Sequence, residues 1–212
     1  MAEVEMKALR AQINPHFIYN CLKSIQSCMR SNSIDMAEKY LLKFSDLTRI
    51  VLENSAHKQV PLSDDMAALE LYIQLEQLRM PGKFDYKISV DDALDGNAVL
   101  VPPLIVQPFV ENSIWHGMNG KAEKGMISIS VSRQDGMLKY LMEDDGIKSL
   151  AKKQEADKVK KKSLGMSLTK ERLDVLNRTK GTKAHFEVSD MEDEAHNYKG
   201  KRVELVLPYE EG

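Results

Sequence analysis

The chain has 212 residues, 42% of them hydrophobic and 29% charged, with a formal net charge of −2. This is globular composition with room for one or two packed domains; it argues against a disordered chain and gives no global basic field to attract nucleic acid. Cys21 and Cys28 stand seven apart on one predicted helix, where they cannot pair, and there is no CxxC; this fits a reducing compartment.

Helical periodicity is expected over residues 3–30, where Leu9, Ile13, Phe17, Cys21 and Ile25 repeat as a buried stripe. Pro15 interrupts that pattern at a cost of roughly 3 kcal/mol or more. His16 follows it on the polar side, beside Gln12, Tyr19 and Lys23. Taken alone it reads as an ordinary surface histidine. Ser31-Asn32-Ser33 breaks the chain, and a second helix is expected over 34–53 with Ala37, Leu41, Phe44 (or Leu42), Leu47 and Val51 inward. Ser63 is expected to cap a third helix, with Asp64 and Asp65 in its first turn, where the dipole favours acids, and Pro81-Gly82 ending it. These stripes predict a helical bundle core, completed by a second copy of the chain.

No apolar run reaches the roughly 18 residues of a membrane span. The best, 98–110, is broken by Pro102, Pro103 and Pro108. The first residues lack a signal peptide's basic start and apolar stretch, so a soluble chain is expected, and its start within a helix suggests a portion of something larger.

After Gly82 the period changes to two, with Phe84, Tyr86, Ile88 and Val90 alternating with polar residues. A helix is expected over 104–116, strands over 126–132 and 137–143, and a loop over 146–163 carrying Lys158, Lys160, Lys161 and Lys162. A helix over 166–177 and strands over 184–188 and 202–207 complete an α+β pattern, two layers deep. The regimes divide the chain into residues 1–82 and 83–212.

Within the second regime, Ile105, Val106, Phe109, Val110 and Ile114 take one side of a helix and Glu111, Asn112, Trp115 and His116 the other. An acid beside an amide suits a hydrated magnesium ion, which takes oxygen ligands and keeps several waters. A solvated helix edge has the same pattern. Glu143-Asp144-Asp145-Gly146 ends a strand, and a carboxylate there can accept a hydrogen bond from an exocyclic amine such as adenine's. Gly165, expected at a helix start, would let backbone approach phosphate.

Order and spacing make these elements specific. Gln12-Ile13-Asn14-Pro15-His16-Phe17 with Asn20 resembles the phosphoacceptor signature of the LytS/YehU-type sensor histidine kinases, of the GHKL ATPase superfamily. The stretch from Val101-Pro102-Pro103 through Glu111-Asn112 to His116-Gly117 resembles that family's N-box almost residue for residue. Asp144-Asp145-Gly146 takes the place of its DNG motif, and Leu164-Gly165-Met166 through Glu171-Arg172-Leu173 its second glycine box; the likeness covers residues 6–209.

The resemblance implies a helical dimerisation and phosphoacceptor segment followed by a GHKL (Bergerat) two-layer α/β sandwich. It implies ATP and Mg²⁺, autophosphorylation of His16 with Glu111 orienting it or taking its proton, and transfer to an aspartate of a response regulator. Asn112 would bridge magnesium to the phosphates, His116 would join the nucleotide site, Asp144 would recognise adenine, and Gly146 and Gly165 would bracket a lid. A homodimer that binds no nucleic acid is implied, in the cytoplasm, joined to a membrane only through a segment outside this chain.

Three residues depart from the pattern. Asp145 replaces the DNG asparagine, Lys148 stands at a D-box glycine, and Ser163 stands at the first glycine of the next box. The two lost glycines stiffen the lid. They keep a second reading open, an ATP-binding but degenerate module that signals through dimer rearrangement. The five histidines show no HExxH spacing, which disfavours a metalloenzyme.

Overall fold

The computed structural model describes residues 15–148 and 156–211. It opens with helices α1 (Pro15–Arg30), α2 (Ile34–Ser55) and α3 (Leu62–Arg79). Of the first expected helix, residues 3–14 lie outside the described residues; in the remainder Phe17 and Cys21 are buried and Tyr19 is exposed, as the stripe requires. Asn32 turns the chain in the left-handed region at φ 56°, where asparagine is tolerated.

The inward face of α2 differs from the one expected. Tyr40 is buried with Ala37, Leu47 and Val51, whereas Leu41 and Leu42 are 52% and 59% exposed. Successive residues turn by about 100° around a helix, so Tyr40 and its two neighbours cannot all face inward. The tyrosine takes the place, with its hydroxyl 3.9 Å from the Cys21 sulfur. The expected cap at Ser63 is also corrected. Strand β1 (Val60–Pro61) runs directly into α3, Pro61 stands at the cap, and Ser63 instead donates its N–H to Gly96 O and its hydroxyl to Asn97 Oδ1, each at 2.9 Å.

Helix α3 is buried on nearly every side, through Leu62, Met66, Leu69, Tyr72, Ile73 and Leu75. It contacts α2, the small sheet and the edge of the main sheet. The small sheet joins β1 to β3 (Val99–Val101) and β3 to β8 (Glu210–Glu211), both antiparallel. None of its strands was expected; each spans three residues or fewer and shows no periodicity of its own.

The main sheet holds β2 (Phe84–Val90), β4 (Gly125–Gln134), β5 (Met137–Asp144), β7 (Tyr198–Leu207) and β6 (His185–Glu192), in that spatial order. Only β2 and β4 run parallel. Ile127, Ile129, Val131, Leu138, Tyr140, Met142, Val203 and Leu205 bury one face. The other is wetter, with ion pairs from Lys139 to Glu204 and from Arg202 to Glu143. Strand alternation therefore holds, and the two-layer α+β reading with it.

Against the buried face lie α4 (Gln107–Asn112), its continuation as a π-helical turn (Ser113–Met118), and α5 (Ala156–Lys180). The latter corrects the expected loop over 146–163: from Ala156 onward the backbone is helical through Lys158, the three following lysines and Gly165. Lysine is a good helix former, and one interior glycine costs only about 1 kcal/mol. Gly165 also packs on α4: a Cβ there would sit 3.4 Å from Pro108 Cβ.

Candidate functional site

Pro108 sits in the first turn of α4, where its missing N–H costs nothing. Phe109 and Val110 drive that helix into the core, and Phe109 meets Phe186 of β6 edge-on at 4.9 Å. At Ser113 the helix widens into a π turn, a geometry frequent at functional sites. That turn, the end of β5 and the start of β7 enclose a cleft of about 250 Å³.

The cleft brings together three residues singled out from the sequence: Asn112, His116 and Asp144. Asp144 is 4% exposed. Ser113 Oγ donates to its Oδ2 at 2.6 Å and the Gly146 N–H to its Oδ1 at 2.9 Å, so both oxygens are aimed. Burial raises its pKa, opposed by those two bonds and by Lys201, with Asp145 adding to the rise.

Three glycines let this corner close. A Cβ at Gly146 would lie 2.4 Å from Gly117 Cα, and one at Gly117 would lie 3.0 Å from Asp144 Oδ1. Gly200, at φ 141°, would place a Cβ 1.7 Å from the Asp144 carbonyl oxygen. Asp145 turns away from the cleft: its Oδ1 accepts the Met126 N–H at 2.7 Å and its Oδ2 pairs with Lys121 at 2.8 Å. The DNG departure thus fastens the end of β5 to β4.

The other expected residues fall elsewhere. Glu111 is half-buried and does not line the cleft. It lies on the Tyr72 side of α4, where it and Glu76 add to the burial that pushes the Tyr72 phenol well up. Gly165 lies within α5, next to Met166 at the cleft wall. His16 has its backbone at the start of α1, and its side chain lies outside the described residues, as does that of Ser163. Phe17, the next residue, packs on Tyr72 with ring centres 4.9 Å apart. Lys148 pairs with Asp190 at 3.0 Å and lies 5.4 Å from the ring centre of Tyr198.

Ser113, Tyr198 and Lys201 also line the cleft and were missed. Ser113 is adjacent in sequence to Asn112 and could have been noticed as a hydroxyl on that edge. Tyr198 and Lys201 reach Asp144 only because β7 pairs with β5, with Lys201 opposite Asp144 in the register. Burial pushes the Tyr198 phenol up to about 12, with Asp144 and Asp190 adding to it. Among the described residues no group of three or more His, Cys, Asp or Glu could hold a metal, and no helix is long and apolar enough to cross a membrane.

The chain is similar to known histidine kinases. A family model described as "Histidine kinase" matches residues 4–84. The sensor protein LytS of Bacillus cereus is 32% identical over 146 residues, 69% of this chain and 24% of the relative. LytS of Oceanobacillus iheyensis is 34% identical over 146 residues, again 69% and 24%. The sensor histidine kinase/phosphatase LytS of Staphylococcus aureus is 33% identical over 147 residues, 69% of this chain and 25% of the relative. The chain therefore spans about a quarter of the length of the curated relatives it matches. Among solved structures, the histidine kinase domain of the Erythrobacter litoralis blue-light activated histidine kinase aligns with 98% of this chain and 96% of its own. The TM-score is 0.52 at 16% identity, a likeness of fold.

Proposed function

The chain belongs to the histidine kinase family, as a homologue of the LytS sensor proteins, and from that premise we propose that it is a sensor kinase core. It binds ATP in the cleft, moves the γ-phosphoryl group to His16, and passes it to an aspartate of a response regulator. The observation that carries this reading is the aimed carboxylate of Asp144, sealed by Gly146 and Gly200 and facing the same cleft as Asn112 and His116.

Asp144 accepts the exocyclic amine of adenine, with Ser113 and the Gly146 N–H holding it in line. His116 contacts the nucleotide beside it, and Gly146 and Gly165 flank the lid. The donor set suits magnesium: one amide oxygen, that of Asn112, leaves room for phosphate oxygens and waters. When bound, the ion neutralises phosphate charge during transfer. His16 attacks with a lone pair that a neutral imidazole, of reference pKa about 6.5, already carries at neutral pH. A nitrogen–phosphorus bond forms, the bond from phosphorus to the ADP oxygen breaks, and the ring proton leaves to Glu111. Supporting that pairing, Glu111 lies within electrostatic reach of Tyr72, on which Phe17 packs one residue after His16.

Residues 1–82 act as the dimerisation and phosphoacceptor unit and 83–212 as the ATP-binding unit, working in the cytoplasm. Leu22, Met29, Ile34, Leu41, Leu42 and Leu52 are exposed on α1 and α2, an apolar face suited to a second copy. Incubation with labelled ATP and Mg²⁺ tests the reading: acid-labile, alkali-stable label is expected on the wild type and none on His16→Gln. Label that persists in His16→Gln sinks the phosphoacceptor assignment, and ATP binding without any label favours the degenerate module.

A further inference from the structure

Arg79 closes α3, and its guanidinium lies over the ring of Trp115, 4.1 Å from the centre. The same guanidinium holds Glu76. Its Nε donates to Oε2 at 2.9 Å, and a terminal nitrogen donates to the same oxygen. The Glu76 side chain is 1% exposed and that of Arg79 18%, so the pair is largely dry. A largely desolvated cation over an indole is held by the negative face of the ring more firmly than one in water.

What lies on each side of this pair gives it meaning. Toward α1, Glu76 and Arg79 both act electrostatically on the buried Cys21 thiol, and Tyr72, four residues before Glu76, packs on Phe17. Toward the cleft, Trp115 sits in the π turn whose neighbouring residues, Ser113 and His116, line it. The Tyr72 phenol lies beside Trp115 as well. A continuous packed line thus runs from the residue after His16, through α3, to the turn that shapes the cleft. Buried ion pairs add little net stability compared with apolar packing. A flat guanidinium held by a carboxylate on one side and an indole on the other accepts few alternative arrangements.

We propose that Arg79 is a positioning residue, which through Trp115 holds the π turn of the cleft and the start of α1 in the one arrangement that lets a bound nucleotide meet His16. This rests on the kinase reading above. Its role is to align two parts already bound, so its loss falls on the maximal rate rather than on nucleotide affinity.

The test compares wild type, Arg79→Met, Arg79→Lys, Trp115→Phe and the Arg79→Lys/Trp115→Phe double variant. Two quantities are measured: the labelling rate of His16 at saturating Mg-ATP, and Mg-ADP affinity by equilibrium dialysis. Arg79→Met and Trp115→Phe should each slow labelling about tenfold or more with ADP affinity held within about threefold. Arg79→Lys keeps the charge and loses the flat stack, so it should fall between; the double variant should be no slower than Trp115→Phe, because both changes break one contact. A full maximal rate in Arg79→Met or Trp115→Phe overturns the proposal, as does a loss confined to ADP affinity. Should Arg79→Met fail to fold because Glu76 is left unpaired, Trp115→Phe keeps that ion pair and decides alone. Wild type that neither binds ADP nor labels overturns the kinase reading itself; wild type that labels, with variants that match it, overturns only the role of Arg79.

Discussion

The carboxylate of Asp65, in the first turn of α3, accepts the backbone N–H of Leu104 at 2.6 Å across 39 residues of sequence. Leu104 has φ 57°, a left-handed conformation that costs a non-glycine residue about 1–3 kcal/mol unless its surroundings impose it. Arg172 of α5 imposes it from the other side, donating to Pro103 O at 2.8 Å. The loop leading into α4 is therefore clamped between the helical half and α5.

Asp65 makes stability depend on pH. Burial raises its pKa to about 6 from 3.8, against the lowering effects of the Leu104 bond and Arg172. The folded state thus binds this proton more tightly than the unfolded chain does. Its contribution is complete below about pH 4 and is lost as pH rises through about 6. A shift of that size corresponds to roughly 3 kcal/mol. Urea unfolding of wild type and Asp65→Asn should show the wild type's relative stability falling by that order between pH 4 and pH 7. A difference that stays constant with pH would refute it.

At the cleft, Ser113→Ala removes one of the two bonds that aim Asp144. A neutral donor to a charged acceptor contributes about 1.5–3 kcal/mol, so nucleotide affinity should fall by about tenfold or more while the melting temperature changes little. Since the pKa of Asp144 is raised, acidification should weaken binding at a higher pH than an ordinary carboxylate would dictate. Equilibrium dialysis of ADP across pH, wild type against Asp144→Asn, reads both effects; an Asp144→Asn variant with undiminished affinity would count against this carboxylate.

Gly200→Ala should be among the most damaging single changes. Its φ of 141° is closed to alanine, and the added Cβ would lie 1.7 Å from a backbone oxygen. We expect a loss of at least about 3 kcal/mol. Circular dichroism melts check this, and Gly136→Ala, whose Cβ meets nothing within 4 Å, supplies the comparison: strained by its φ of 74° but unobstructed.

On α2, Leu42→Glu places a charge on the exposed apolar face without touching the core. Sedimentation velocity should show the proposed dimer weakened about tenfold or more, because a carboxylate buried at an interface without a partner is costly. An unchanged dimer would move the interface off this face.

Much of this molecule was legible in the sequence because short-range periodicity carries it. Phe17 and Cys21 on one stripe of α1, the alternation of Ile127, Ile129 and Val131, and the segments holding Asn112 and Asp144 all follow from residues near one another in the chain. Tertiary structure decided the rest. Tyr40 rather than Leu41 faces inward, its hydroxyl 3.9 Å from the sulfur of Cys21 on another helix. The strands β1, β3 and β8 exist only as one another's partners, since none is long enough to show a period. Tyr198 and Lys201 joined Asp144 through the pairing of β7 with β5, and Glu111 came within electrostatic reach of Tyr72 while its neighbour Asn112 lined the cleft. Periodicity specifies which face of an element is apolar; what that face meets depends on contacts between residues far apart in sequence, where the loops decide which elements become neighbours.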